Sequence, residues 1–270
     1  MTRVVSGAGL IIIAVAAVWF APGWLFALIA AAVLVLAFGE YATLAAACGL
    51  PIPYAASGTA TLLAGVGVAS TRWAGDRLVA NAALLDVLLM TAFVVLAAST
   101  LAEARPDREA LGRAAAAVFP LFYLGLPIGA MVVVRDAHGP AALFLLMLTV
   151  MVSDTAQYYT GRAFGRQLLA PAISPKKTIE GATGGFVFGT LTMVILGAWW
   201  LPEMPPSLRA ALGLTSVALG IVGDLFESML KRAAGVKDSS ALIPGHGGVL
   251  DRIDALLFAA PVFYVVLRWV

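Results

Sequence analysis

Stretches of roughly 20 mostly apolar residues, the length needed to cross a hydrocarbon core of about 30 Å, recur along nearly the whole chain and leave only short polar connections between them. They fall at about 7–21, 24–39, 57–70, 80–102, 114–134, 141–160, 182–200, 207–230 and 249–268. Hydrocarbon offers the backbone no hydrogen-bond partner, so apolar runs of this length are read as helices. With 61% hydrophobic and 12% charged residues and a mean hydropathy of +0.97, the chain lies far from soluble usage. The pattern predicts an all-α, polytopic integral membrane protein of about nine transmembrane helices. Residues 1–140 would supply about five N-terminal spans, and residues 141–270 about four more, which frame the charge-dense stretches taken up below. The third stretch is short and Gly-rich, which suits a tilted, re-entrant or buried segment.

Charge decides the orientation. Lys and Arg accumulate on the cytoplasmic side of a membrane protein. With the N-terminus inside, twelve of the 17 Lys and Arg residues face the cytoplasm: Arg3, Arg105, Arg108, Arg113, Arg162, Arg166, Lys176, Lys177, Lys231, Arg232, Lys237 and Arg252. The remaining five, Arg72, Arg77, Arg135, Arg209 and Arg268, face out. The connections around 161–181 and 231–248 then share one side, two spans apart. Arg3 followed by an apolar run also fits a secretory leader, but the series of apolar segments behind it favours an uncleaved first span. Net charge of +2 gives no argument for nucleic acid. The single cysteine, Cys48, excludes an internal disulfide and is read as a small packed residue. The loop 105–109 reads as a solvated connector, and Gly65-Val-Gly67 as a helix-packing site rather than a dinucleotide fingerprint.

Three stretches carry charges that an apolar chain has little reason to hold unless something charged binds. The first runs from Ser153 to Arg166, with Asp154 near the inner end of an apolar helix, where an ionised carboxylate needs protein, water or a cation beside it. A structural pairing with Arg162 or Arg166 is the plain alternative. The second, Ile173-Ser174-Pro-Lys176-Lys177-Thr178-Ile-Glu180-Gly181, sets paired lysines beside hydroxyls at a helix start, a plausible phosphate cradle. Topology determinants have the same look.

The third and densest runs from Gly223 to Asp254. Asp224, Glu227, Ser228 and Lys231 follow at i, i+3, i+4 and i+7, one face of a helix. Gly247-Gly248 permits close backbone approach, and a helix starting there would align Asp251 and Asp254. Carboxylates on two helices among basic residues suit a hard cation such as Mg²⁺ shared with a phosphate-rich ligand. Pairwise helix-end salt bridges are the rival reading. His246, among glycines, is open as an acid, a phosphate contact or a turn residue; His138 is expected on the opposite face.

With these residues laid out, the chain resembles the phosphatidate cytidylyltransferase (CDP-diacylglycerol synthase) family. That family's signature, Ser-x-x-Lys-Arg-x4-Lys-Asp-x-Ser-x2-Ile-Pro-Gly-His-Gly-Gly-x2-Asp-Arg-x-Asp, is matched without a gap from Ser228 to Asp254. Asp154 to Arg166 and Ser174 to Gly181 are similar to a second conserved region; before about residue 140 the likeness is one of hydropathy and length. The resemblance implies transfer of CMP from CTP to phosphatidic acid, giving CDP-diacylglycerol and pyrophosphate for phospholipid biosynthesis. It implies Mg²⁺, with a second cation left open, held by Asp224 and Asp251 with Asp254 and Asp154 in support. Lys176, Lys177, Lys231, Arg232 and Lys237 would hold the triphosphate and the lipid phosphate, and Ser174, Thr178, Ser228, His246, Gly247, Gly248 and Arg252 are further substrate-binding candidates. It also implies the cytoplasmic membrane, a site facing the cytoplasm, and a homodimer. Two rival readings fit less well: a CDP-alcohol phosphotransferase, whose Asp-Gly-x2-Ala-Arg pattern is absent, and an anion transporter, against which stand one-sided charge and the missing internal repeat.

Overall fold

The main chain of an apolar segment bonds only to itself, and the secondary structure follows from that. The computed structural model describes residues 2–71, 78–102, 107–243, 245 and 247–269. In order come α1 (Thr2–Phe20), α2 (Gly23–Ala47), α3 (Tyr54–Ser70), α4 (Leu78–Ala102), α5 (Ala110–Pro120), α6 (Leu126–Ala137), α7 (Pro140–Phe164), β1 (Leu168–Ala170), β2 (Ser174–Thr178), α8 (Ile179–Trp200), α9 (Pro206–Ala233) and α10 (Leu250–Leu267). Among the described residues, six helical stretches are long and apolar enough to cross a membrane: Gly23–Ala47, Leu84–Ala102, Ala110–Ala137, Pro140–Phe164, Ile179–Trp200 and Pro206–Ala233. In outline this is an all-α integral membrane protein.

The expected spans at 7–21, 57–70 and 249–268 fall on α1, α3 and α10, which are helical but do not meet that measure. The apolar part of α1 is short, α3 has 17 residues, and α10 opens with Asp251, Arg252 and Asp254. The all-α expectation needs one correction. Residues 168–178 form an antiparallel hairpin of two short strands, pairing Leu168 with Thr178 and Ala170 with Ser174. Arg72, Arg77, Arg105 and His246 lie outside the described residues.

α5 and α6 run on through a single π-helical turn, Leu121–Gly125, flanked by Pro120 and Pro127. Proline removes a backbone donor and crowds the preceding turn, and an extra residue in the turn accommodates it. The π turn lies against α3 with little between the backbones. A Cβ added at Gly125 would stand 2.6 Å from the Thr61 carbonyl oxygen, and one at Gly129 2.5 Å from that of Gly65. The helix-packing reading of Gly65 holds. α7 and α8 approach in the same way, with Gly181, Gly184, Gly185 and Gly189 facing Ser153, Gln157 and Thr160; small residues let helices associate where no hydrophobic drive separates them from lipid.

Two large apolar clusters hold the bundle. One centres on Leu143, Leu145, Leu146, Met193 and Phe263, and joins α1, α2 and α6 to α7–α10. The other packs Leu34, Phe38, Tyr41, Tyr123 and Leu124 against Leu250 and Leu257. An aromatic group runs through the second: Phe226 lies 5.5 Å from both Tyr123, edge to face, and Phe258, at a tilt. At the other end of the bundle, Arg135 donates to the carbonyls of Val18 and Ala21 at the end of α1, pairs with Asp136 and lies over Phe26.

Candidate active site

The two charged connections meet at one end of the bundle. β2 carries Lys176 and Lys177 on opposite faces, as strand residues must. Lys176 is exposed, whereas Lys177 turns inward and its Nζ bonds Asp224 Oδ2 on α9. The sequence presents the two lysines as a pair; the strand separates them. Thr178 caps α8, accepting from Gly181 N at 3.1 Å, and its side chain fills the space left by Gly161, Gly165 and Gly181. Glu180 Oε2 accepts from Arg166 N and Gln167 N at 3.0 and 3.2 Å, anchoring the hairpin.

On α9 the predicted stripe is present. Glu227 is fully buried and Lys231 8% exposed. Lys231 Nζ bonds Glu227 Oε2 at 2.6 Å and Asp251 Oδ1 on α10 at 2.5 Å. Asp251 Oδ2 accepts from Ser239 N at 2.9 Å and Gly248 N at 2.7 Å, and shares the one Ser239 hydroxyl proton, 2.9 Å away, with Glu40 Oε2. Both glycines that precede it are required. Gly247 has φ +78°, where side chains are strained, and a Cβ there would stand 2.5 Å from Asp251 Oδ2. A Cβ on Gly248 would stand 2.1 Å from Ser239 Oγ. α10 reaches α9 because Gly223 has no side chain; a Cβ would stand 2.5 Å from the Asp254 carbonyl oxygen.

Asp154, Asp224 and Asp254, on α7, α9 and α10, form a second acidic group: Asp224 is within electrostatic range of both others, and Lys177 and Arg252 of Asp154. Asp154 is exposed, and no ion pair joins it to Arg162, which contacts Tyr158 Oη at 3.4 Å instead. Of the remaining candidates, Ser174 and Ser228 are half-buried at this end, Arg252 and Lys237 are exposed, and Arg232 is exposed with Nη1 on the Val236 carbonyl at 3.1 Å. The salt-bridge reading accounts for Lys177 and Lys231 and leaves Arg232 and Lys237 without an acidic partner among the described residues.

Among the described residues no three His, Cys, Asp or Glu side chains form a ready-made metal cage. A hard cation such as Mg²⁺ does not need one, since one or two carboxylates with phosphate oxygens and water suffice. Asp154, Asp224 and Asp254 fit that description as like charges brought together in an apolar setting, and Glu227 Oε1 beside them is buried without a hydrogen-bond partner. Asp251 is different. Three of its contacts fall on Oδ2, so only Oδ1, which holds Lys231, has room for a cation as well.

Two residues escaped the reading of the sequence. Glu40 of α2, 7% exposed, accepts from Ser239 Oγ, Ser240 Oγ, Val249 N and Leu250 N at 2.7–2.9 Å. A lone carboxylate inside an apolar span was the available signal. Tyr123 sits on the π turn with its hydroxyl buried and unbonded, in range of Glu227 and Asp254; nothing local in the sequence marks it. Cys48, expected to be packed, is exposed at the end of α2.

The chain has recognisable relatives. It is similar to phosphatidate cytidylyltransferases of Haemophilus influenzae (43% identity over 134 residues, 47% of this chain and 45% of the relative), Mycobacterium tuberculosis (40% over 148 residues, 55% and 44%) and Thermotoga maritima (40% over 161 residues, 57% of each). The chain thus spans about half the length of the curated relatives it matches. The family model described as "Cytidylyltransferase family" matches residues 1–270. Signature, converging charged loops and whole-length match agree, and the chain belongs to the cytidylyltransferase family.

Proposed function

We propose that the protein is a CTP:phosphatidate cytidylyltransferase, transferring CMP from CTP to phosphatidic acid in the cytoplasmic membrane with its site toward the cytoplasm. The observation that carries this reading is the gap-free signature from Ser228 to Asp254, folded so that its lysine and aspartates meet Lys177 and Asp224 at one end of the bundle. The named relatives and the count of basic residues on one side support it. A homodimer is part of the reading and rests on the family resemblance alone.

The reaction joins a phosphate oxygen of phosphatidic acid to the α-phosphorus of CTP as the bond to pyrophosphate breaks. The acceptor is already anionic, so no side-chain nucleophile is needed. The chain's work is to bring two polyanions together and neutralise them. An ammonium has three donors. Lys177 gives one to Asp224 and Lys231 gives two to Glu227 and Asp251, so each is oriented by carboxylates and keeps donor capacity for a phosphate oxygen. Lys176, Arg232, Lys237 and Arg252, exposed at the same end, would receive the outer phosphates, with Ser174, Thr178, Ser228, Gly247 and Gly248 lining the approach. His246 stays a substrate-binding candidate from the signature. Asp224, Asp254 and Asp154 would hold Mg²⁺, with Asp251 Oδ1 adding to them while it keeps Lys231. Bound there, the cation would supply charge neutralisation for the leaving pyrophosphate.

The test is direct. Purified protein in detergent, given Mg²⁺, radiolabelled CTP and phosphatidic acid, is expected to form a chloroform-soluble CDP-lipid. Asp224→Asn should reduce this by about 100-fold or more, on the scale of losing a group that stabilises developing charge. A wild type that leaves all label in the aqueous phase overturns the reading.

A further inference from the structure

Glu40 is the one charged residue of α2, and the bonds it makes are all to the signature. Oε1 accepts from Ser240 Oγ at 2.7 Å and Val249 N at 2.9 Å. Oε2 accepts from Ser239 Oγ at 2.9 Å and Leu250 N at 2.7 Å. The first turn of a helix exposes backbone donors that a nearby residue of the same chain segment usually satisfies. α10 has no such side-chain cap of its own; Glu40 takes that place from another helix. Gly248 lets it in, since a Cβ there would stand 2.4 Å from Glu40 Oε2. The Ser239 hydroxyl lies 2.9 Å from both Glu40 Oε2 and Asp251 Oδ2, and Asp251 Oδ1 holds Lys231.

We propose that Glu40 is a positioning residue of the active site: through Ser239, Ser240 and the first amides of α10 it fixes where Asp251 stands and so where Lys231 presents its remaining donor. It touches no substrate in this account. The inference rests on the cytidylyltransferase reading, and goes beyond it in giving the N-terminal half a share in the chemistry. A carboxylate buried at this depth is costly unless fully bonded, and here every one of its bonds is spent on the loop that carries the signature.

The experiment compares wild type, Glu40→Gln, Glu40→Asp, Ser240→Ala and the double variant Glu40→Gln/Ser240→Ala by steady-state kinetics, thermal unfolding in detergent, and hydrogen exchange at residues 239–250. Loss of an outer-shell partner of this kind lowers activity by about 10- to 100-fold. Glu40→Gln is expected to lose that much in kcat while KM for CTP moves less than about threefold, the mark of an interaction felt in the transition state. Glu40→Asp should recover part of the loss. Ser240→Ala, which removes a donor to Glu40 and none to Asp251, should show a smaller loss that does not add to that of Glu40→Gln. Exchange at Val249 and Leu250 should rise in Glu40→Gln, and this readout needs no turnover. A lowered unfolding temperature with kcat unchanged would make Glu40 a stability residue only and overturn the proposal, as would strict additivity with Ser240→Ala if Glu40→Gln folds. If Glu40→Gln does not fold, unchanged kcat in Ser240→Ala overturns it. A wild type with slow exchange at Val249 and Leu250 but no CDP-lipid product points to failure of the activity reading instead.

Discussion

Lys231 donates to Glu227 and Asp251 at once, in surroundings where Glu227 is sealed from solvent. Removing one member of a buried charge group is worse than never having had it, because the carboxylates left behind keep their desolvation cost without the compensating cation. Lys231→Met, which keeps the length and apolar bulk, is therefore expected to destabilise the protein by about 3–5 kcal/mol, read as a lowered midpoint of thermal unfolding in detergent, and to abolish transfer. A midpoint unchanged from wild type would mean that the group is not buried as the structure has it. Asp224, Lys231 and Asp251 were legible in the sequence because a polar stripe at helical spacing stands out from apolar neighbours. Glu40 and Tyr123 were not legible in the same way. Their partners lie 199 or more positions away for Glu40, and on two other helices for Tyr123, so no local pattern announces the contact.

Among the elements, α9 and α10 touch where Gly223 meets Asp254, and the site depends on that approach. A methyl there would force the helices apart or break the first turns of α10, while at Gly220 the nearest atom is Ala255 Cβ at 3.7 Å, an ordinary contact. Gly223→Ala is expected to cost about 1–3 kcal/mol by overpacking and to remove most activity. Gly220→Ala, gaining helix propensity of about 0.5–1 kcal/mol, should keep both stability and activity. Equal behaviour of the two variants in unfolding and turnover would contradict the close approach. Long apolar runs told where most helices lie, because in lipid the period and length leave little choice. The hairpin was invisible for the converse reason: β1 has three residues and β2 five, mixing Pro, Lys and Ser, too short to alternate recognisably. It nonetheless shapes the candidate site, since strand geometry sends Lys177 to Asp224 and Lys176 to solvent.

For the whole molecule, charge counting and contact geometry bear on one axis. The site lies at the end of the bundle that also holds Cys48, two turns beyond Glu40 and exposed. If that end faces the cytoplasm, a membrane-impermeant maleimide should label Cys48 in inside-out vesicles and spare it in intact spheroplasts; labelling in spheroplasts would reverse the assigned orientation. The far end is closed by Arg135 of α6, which binds the end of α1 and pairs with Asp136, a tie within the N-terminal helices, whereas Glu40 joins those helices to α10 at the site end. The capping of α10 by Glu40 sets an order of events during synthesis. Glu40 and its most distant donor, Leu250, are 210 positions apart, and ribosomes add about 5–20 residues per second. For roughly 10–40 s after it is made, then, this carboxylate has none of its final partners, and must wait near water at the membrane surface. The helix that relieves it is α10, made some 210 positions later, so this end of the bundle closes only after α10 has emerged.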